Sequence, residues 1–120
     1  MATNRVDFVA TRGDTMHFRG TLTVAGRSFS LPVAELKFSA KRKYQDKTVL
    51  FEKTLADGVS IAGQSATQIS YDVIVAPGDT AMIDLKTGKL LYDLQLTEAD
   101  GTVSTPVGGR ITLAPDVTPP

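Results

Sequence analysis

Apolar and polar residues alternate along much of the chain. In the stretch 16–24, the even positions are mainly apolar and the odd positions are polar. Because successive side chains of a β-strand point to opposite faces of a sheet, this pattern predicts strands with one buried face. The same two-residue period recurs at 6–10, 35–41, 68–75, 89–97 and 110–114. The stretch 48–55 is rich in β-forming residues but alternates less cleanly.

Glycine-containing turns separate these stretches, and several glycines are placed to adopt a positive φ. The Asp100-Gly101 pair lies between strand-like stretches 94–97 and 102–105 and predicts a β-hairpin. The best helical candidate, Thr80 to Leu85, is a turn or two beginning at an Asp79 cap. Seven or more short strands without a long helix predict one all-β domain over residues 1–120, folded as a sandwich or a barrel.

Composition narrows the possible functions. Thirteen basic residues balance 13 acidic ones, so no net charge attracts nucleic acid or an anionic membrane, and self-association is permitted. The chain has no cysteine and one histidine, which argues against disulfides, thiol catalysis and a transition-metal site. The N-terminal residues lack the apolar run of a signal peptide, and no stretch is long enough to span a membrane. Synthesis in the cytoplasm and no cofactor are expected.

His17 and the carboxylates are the candidates for catalysis or metal binding. Since His17 alternates with apolar neighbours, we expect it to be a solvated residue on the outer face of a strand. Most aspartates lie next to glycine or at strand ends, where their side chains cap turns. A weak calcium site formed by Glu98, Asp100 and Asp79 is the alternative. With no pairing of a nucleophile with a base visible, we predict that the chain is not an enzyme and has no catalytic, cofactor-binding or metal-binding residues.

Two short motifs invite a binding function. Arg12-Gly13-Asp14 matches an integrin-recognition tripeptide, but a turn between the first two long strands is the favoured interpretation. A basic cluster with one aromatic could follow a nucleic-acid backbone, although a solvated face or a guarded sheet edge is favoured. This cluster consists of Lys37, Lys41, Arg42, Lys43 and Tyr44.

Two longer stretches carry a family resemblance. The first is the run from Phe8 to Thr15, followed by Phe18 and the strand to Val24. The second comprises Gly78-Asp79-Thr80-Ala81, Gly88, the run from Tyr92 to Thr97, Asp100-Gly101, Thr105-Pro106, Gly109, Ile111 and Asp116-Val117-Thr118. In this order they resemble the immunoglobulin-like N-terminal domain of phage baseplate upper proteins and related short phage tail proteins. The chain departs from that pattern at Leu90, where the family tends to have an aromatic residue.

The resemblance implies an immunoglobulin-like antiparallel β-sandwich of about seven to nine strands. It also implies a structural role in the virion, as a tail or baseplate adaptor that docks receptor-binding or fibre proteins and is homo-oligomeric. Exposed apolar residues at Val9, Ile74 and Leu91 could widen such contacts. A capsid decoration or head-fibre protein and a carbohydrate-binding module are the alternatives. A sugar module would need exposed aromatics, of which Tyr44 is the free candidate.

Overall fold

The computed structural model describes residues 4–24, 26–84 and 88–116. Within these ranges it contains β1 (Asn4–Arg5), β2 (Phe8–Thr11), β3 (Met16–Thr23), β4 (Glu35–Lys41), β5 (Phe51–Lys53), β6 (Val59–Gln64), β7 (Gln68–Val75), helix α1 (Pro77–Thr80), β8 (Lys89–Thr97) and β9 (Val103–Ala114). None of the described residues belongs to a helix long and apolar enough to cross a lipid bilayer.

The strands form two sheets. The larger sheet has the order β1–β9–β8–β4–β5, with β2 also paired to β9, and the smaller one has the order β3–β7–β6. All pairs are antiparallel except those of β1 and β2 with β9. In chain order, β3 to β9 correspond to strands B, C, C′, D, E, F and G of immunoglobulin domains, which divide between two sheets in the same way. The immunoglobulin-like sandwich is therefore confirmed.

The core lies between the sheets and is formed by the apolar face of each alternating strand. Leu36, Leu96 and Ile69 are fully buried there, at 0% exposure. Each comes from a stretch whose two-residue period predicted an inward face, so one side of the strand is dry while the other meets water. The same face includes Phe38, Ala40, Val73, Val75, Leu90, Tyr92, Leu94, Ile111 and Leu113.

A chain of aromatic contacts joins the two layers. Ring centroids are 5.4 Å apart between Phe18 and Phe38 and 5.0 Å apart between Phe38 and Tyr92. These residues lie on β3, β4 and β8, the strands that carry the inter-sheet disulfide and buried tryptophan of antibody domains. Here aromatic pairs fill that space, each contributing about 0.5–1.5 kcal/mol beyond its burial.

The two-residue period predicts that Phe18, Phe38, Tyr71 and Tyr92 all face one dry interior, and this prediction is only partly correct. Phe38 and Tyr92 are 2% and 5% exposed, but Phe18 and Tyr71 are half-buried. Both half-buried rings lie beside β3, which is the outer strand of the smaller sheet, and Tyr71 is paired with Gly20, which offers no side chain to cover it. The edge position of β3 thus explains the difference.

Three local predictions need correction. The stretch 48–55 yields only the short strand β5, while β6 was not predicted because it alternates poorly and faces solvent at most positions. The helix is Pro77–Thr80 rather than 80–85, since Pro77 sets the backbone of the first turn. Asp79 lies within the helix and accepts the Ala76 N–H at 2.8 Å. Leu85 is outside the described residues.

The hairpin predicted at Asp100-Gly101 is confirmed, with Gly101 at φ 90°.

Candidate functional site

Tyr44 is the most conspicuous exposed aromatic side chain, with 82% of its surface accessible. It belongs to the connection between β4 and β5, which turns sharply because the Asp46 N–H bonds to the Lys43 carbonyl at 3.1 Å. Three adjoining cavities, of about 380, 280 and 150 Å³, all have Tyr44 in their lining. The Tyr44 ring therefore lies where the three cavities adjoin, on the outer face of the larger sheet.

Strand pairing assembles the floor of these cavities in two rows. Lys41, Leu91 and Arg110 are directly paired across β4, β8 and β9. In the neighbouring row, Asp93 is paired with Ser39 and Gly108. Side chains opposite one another in a sheet are close enough to interact, so Leu91 becomes an apolar centre flanked by two cations.

Six cations surround Tyr44, and we call this region the Tyr44 surface. Its charged members are Arg5, Lys41, Arg42, Lys43, Lys89, Arg110 and one carboxylate, Asp93. The sequence as a whole has 13 basic and 13 acidic residues. The remaining 7 basic residues stand against 12 acidic ones, one of which, Asp7, borders the Tyr44 surface beside Arg5 and Arg110.

The charges of the Tyr44 surface are only partly satisfied by the fold. Arg5 pairs with Asp7 at 3.2 Å, and its hydrogen bond is the main reason that the pKa of Asp7 is lowered. Lys41, Lys43 and Arg110 form no ion pair within the described part of the chain. Lys41 lies close enough to Asp93, and Arg110 to Asp7, for electrostatic attraction, but neither is held in a direct ion pair, so both can also attract an anionic partner.

Desolvation raises the pKa of Asp93, while the charge of Lys41 acts in the opposite direction. Asp93 is opposed by six cations in the lining of the three cavities. Arg42 is oriented by a hydrogen bond from its Nη2 to the carbonyl of Asp84. The electrostatic character of the surface is accordingly basic.

The structure revises the interpretation of the basic cluster. Of the two favoured interpretations, a solvated face and a guarded sheet edge, the second is wrong, because β4 lies between β8 and β5 and is not an edge strand. Arg42, Lys43 and Tyr44 follow the strand and lie in the connecting segment. The sequence analysis did not identify Arg5, Lys89 and Arg110 as members of this surface. They lie near Tyr44 because of the strand order β1–β9–β8–β4, and no local sequence motif indicates this.

His17 lies on the solvent face of β3, as predicted. Its Nε2 is 3.0 Å from Asp72 Oδ1, and Arg19 donates to the same oxygen at 2.8 Å. These contacts lower the pKa of Asp72, with the hydrogen bond to His17 as the largest cause. His17 and Arg19 thus contact the same carboxylate oxygen on the solvent face, and the hydroxyls of Thr21 and Ser70 pair with one another at 3.3 Å.

The carboxylates considered for calcium are engaged in separate contacts. Glu98 accepts two hydrogen bonds from Arg27, at 3.0 and 2.8 Å, and one from the Ser30 N–H at 2.9 Å. Asp100 accepts the Thr102 N–H at 3.0 Å, which fits its predicted role in the turn. Asp79 instead pairs with Lys53 Nζ at 2.7 Å. No group of three or more potential metal ligands occurs among the described residues.

The Arg12-Gly13-Asp14 triplet forms the turn between β2 and β3, as expected. Gly13 adopts φ 82°, and its N–H donates to the buried Thr80 hydroxyl at 2.8 Å. Arg12 pairs with Asp116 at 2.8 Å and donates to the Ile83 carbonyl at 3.1 Å. The Arg12 guanidinium therefore connects the turn after β2 to the segments that contain Ile83 and Asp116.

The apolar residues predicted to face outward differ in exposure. Val9 is 82% exposed and Ile74 is 46% exposed, which confirms both predictions. Leu91 is half-buried because it lies in the floor of the Tyr44 surface. It can still contribute apolar contact area, but from within a concave region.

The sequence matches no protein-family model and no curated protein. Among solved structures, it is similar to the extracellular domain of the voltage-gated sodium channel β4 subunit described as parallel homodimers, with TM-score 0.43, 10% identity and coverage of 98% of this chain and 97% of that one. Another similar structure is murine CRIg, with TM-score 0.32, 10% identity and coverage of 93% and 92%. A third comes from crosslinking work on voltage-gated sodium channel β subunits, with TM-score 0.38, 12% identity and coverage of 95% and 93%.

Proposed function

We propose that this chain is a non-enzymatic structural protein of a bacteriophage virion, and that it acts as a tail or baseplate adaptor. In this role it docks receptor-binding or fibre proteins to the particle. The resemblance of residues 8–24 and 78–118 to baseplate upper proteins and short tail proteins supports the setting. The immunoglobulin-like sandwich provides a rigid framework on which a docking surface can be held.

The Tyr44 surface is the single observation that supports docking most strongly. Tyrosine and arginine are enriched among the residues that dominate binding energy at protein interfaces. Here an exposed tyrosine stands over cavities that are lined by cations from four strands and one connection. A partner with an acidic face would complement this charge, and attraction at long range would accelerate its encounter.

Co-expression with neighbouring genes tests the proposal. We expect adjacent genes to encode tail or baseplate proteins, and one product to co-purify with this chain. The contact is partly electrostatic, and salt screens exposed charges. The yield of co-purified partner should therefore fall as the salt concentration is raised. Neighbouring genes for metabolic enzymes, together with no co-purification at low salt, would contradict the proposal. A head protein as partner would instead support the capsid decoration alternative.

A carbohydrate-binding module is a second candidate, and the exposed Tyr44 ring favours it. A sugar could stack on this ring, with the neighbouring cations binding a carboxylate or sulfate group of an acidic glycan. A glycan array distinguishes the two functions. Binding of acidic glycans that is lost in Tyr44→Ala would favour the module, whereas an array without signal favours protein docking.

A further inference from the structure

Strand β3 is an open sheet edge. It pairs with β7 over all eight of its residues and with no second strand in the described chain. The Ile74 N–H points to the Gly58 carbonyl, so the even residues of β7 direct their backbone groups towards β6. Because these directions alternate along a strand, the odd residues of β7 bond to the even residues of β3. The odd residues of β3 therefore present their N–H and C=O groups outward: His17, Arg19, Thr21 and Thr23.

The other sheet edges carry features that hinder pairing with a foreign strand. β5 has three residues, and its Lys53 side chain is buried, which places a charge on the inner side of the edge. β6 has an irregularity between Ile61 and Gly63. β1 and β2 are short and are interrupted between residues 5 and 8. β3 has no proline, no irregularity and no inward charge.

The first half of this edge, residues 16–19, borders an open groove. A groove of about 520 Å³ runs between β2 and β3 and is open to solvent. Its lining includes the half-buried rings of Phe8 and Phe18, with centroids 4.1 Å apart, and the exposed Val9. An added strand would thus gain backbone hydrogen bonds and cover apolar surface at the same time.

We propose that β3 of a second copy of this chain occupies the edge, in an antiparallel pair around a twofold axis at Gly20. Identical strands related by a twofold axis pair antiparallel by symmetry, and the two small sheets would form one six-stranded sheet. With Gly20 opposite Gly20, the outward residues pair as 17 with 23 and 19 with 21. This register pairs residues 17–23 of the two strands and supplies about eight backbone hydrogen bonds.

Charge disfavours the neighbouring register with its axis at residue 19, and strand length disfavours the one with its axis at Thr21, which would leave residues 16–18 without a partner in β3. A shift of the axis to residue 19 would place Arg19 opposite the same arginine of the second copy, which is unfavourable. With the axis at Gly20, Arg19 lies opposite Thr21, and Phe18 lies opposite Leu22. The pair of Gly20 residues falls at a non-hydrogen-bonded position, where Cα atoms are only about 4.5 Å apart. Absence of net charge removes a general repulsion between copies.

This interface does not depend on the adaptor proposal, because it involves neither the Tyr44 surface nor an acidic partner. It specifies where the expected homo-oligomer would form. If the protein dimerises but binds no tail or baseplate protein, only the adaptor proposal is overturned. If it binds such a protein as a monomer, only the β3 interface is overturned.

Crosslinking tests the register directly, since the wild-type chain has no cysteine. Arg19→Cys and Thr21→Cys chains are prepared separately, mixed and oxidised. Directly opposite residues in a hydrogen-bonded pair have Cα atoms about 5.5 Å apart, which suits a disulfide. We expect the mixture to give a covalent dimer and each variant alone to give at least about tenfold less. Equal yields from all three samples, or dimerisation mainly of Arg19→Cys alone, would overturn the proposed pair.

Proline at the edge tests the dimer itself. Thr21→Pro removes an outward N–H, a change that edge strands tolerate, while Thr21→Ala keeps the N–H as a matched control. We expect analytical ultracentrifugation to show a dimer for wild type and Thr21→Ala and a monomer for Thr21→Pro. Amide exchange on the wild type adds a readout without mutation: protection at Arg19 and Thr21 should rise with protein concentration. A wild type that stays monomeric, with concentration-independent exchange, would refute the interface.

Discussion

Basic and aromatic side chains meet at two places in this molecule, with opposite outcomes. Between β3 and β4, Arg27 lies over the Phe29 ring at 5.7 Å and donates two hydrogen bonds to Glu98. Glu98 is 1% exposed, so this contact belongs to the fold. At the Tyr44 surface the ring is 82% exposed, and Lys43 has no ion pair within the described residues. The first region is internally satisfied, and the second is open to a partner.

The difference shows that local composition does not separate a structural contact from a binding surface. Arg27 and Lys43 both have an aromatic neighbour within two residues in the sequence. What separates them is a carboxylate from a distant strand end: Glu98 lies 71 positions after Arg27. A basic residue stabilises the fold when the strand order places a carboxylate beside it. Without such a carboxylate, the basic residue can bind a partner.

Loss of the buried carboxylate should have the largest effect on stability. Glu98→Ala leaves Arg27 and the Ser30 N–H without their acceptor, and we expect the free energy of unfolding to fall by about 2–3 kcal/mol. Urea denaturation measures this difference. The control is Glu52→Ala, an exposed carboxylate on β5, which should change the free energy by less than about 0.5 kcal/mol. Equal effects of both variants would mean that the Glu98 cluster is not structural.

Acid should weaken the same cluster. The hydrogen bond from Arg27 lowers the pKa of Glu98 below its ordinary 4.5 in the folded state. The stabilisation is therefore complete above pH 4.5 and is lost as the pH falls through the lower folded-state value. Glu98→Gln should flatten this decline relative to the wild type in urea titrations between about pH 7 and pH 3. Parallel curves for the two proteins would contradict the assignment.

Tyr92, which serves the fold, and Tyr44, which is open to solvent, should respond differently to loss of their hydroxyl groups. Tyr92 is buried and donates a hydrogen bond to the Val6 carbonyl, which holds the N-terminal segment against β8. Tyr92→Phe should lower the free energy of unfolding by about 1 kcal/mol. Tyr44→Phe should leave it unchanged within about 0.5 kcal/mol, because the residue is solvated. A larger loss from Tyr44→Phe would indicate that Tyr44 serves the fold.

Much of the sandwich could be predicted from the two-residue period. The period located β3, β4, β7 and β8, because one face of each strand is dry and the other is wet. It failed at β6, an edge strand with few buried residues. The β-forming composition of 48–55 overestimated the length of β5, whose inward Lys53 pairs with Asp79 at 2.7 Å and with Asp57 at 3.6 Å.

The candidate surface was less accessible to prediction. Residues 41–44 were visible as a basic cluster with an aromatic, but their position after a central strand was not. Arg5 and Arg110 join them only because β1, β9 and β8 are neighbours in the sheet. Such a site is defined by strand order, which a two-residue period does not encode.

Charge reversal at the Tyr44 surface tests the central claim most directly. The double variant Lys43→Glu/Arg110→Glu is titrated against a co-purified neighbouring tail protein. The control Lys37→Glu/Lys47→Glu changes the net charge by the same amount at two residues outside the three cavities. We predict that the double variant weakens binding by at least about tenfold, with unchanged thermal stability, and that the control weakens it by less than about twofold. Equal affinities for the wild type and the double variant would contradict docking through this surface.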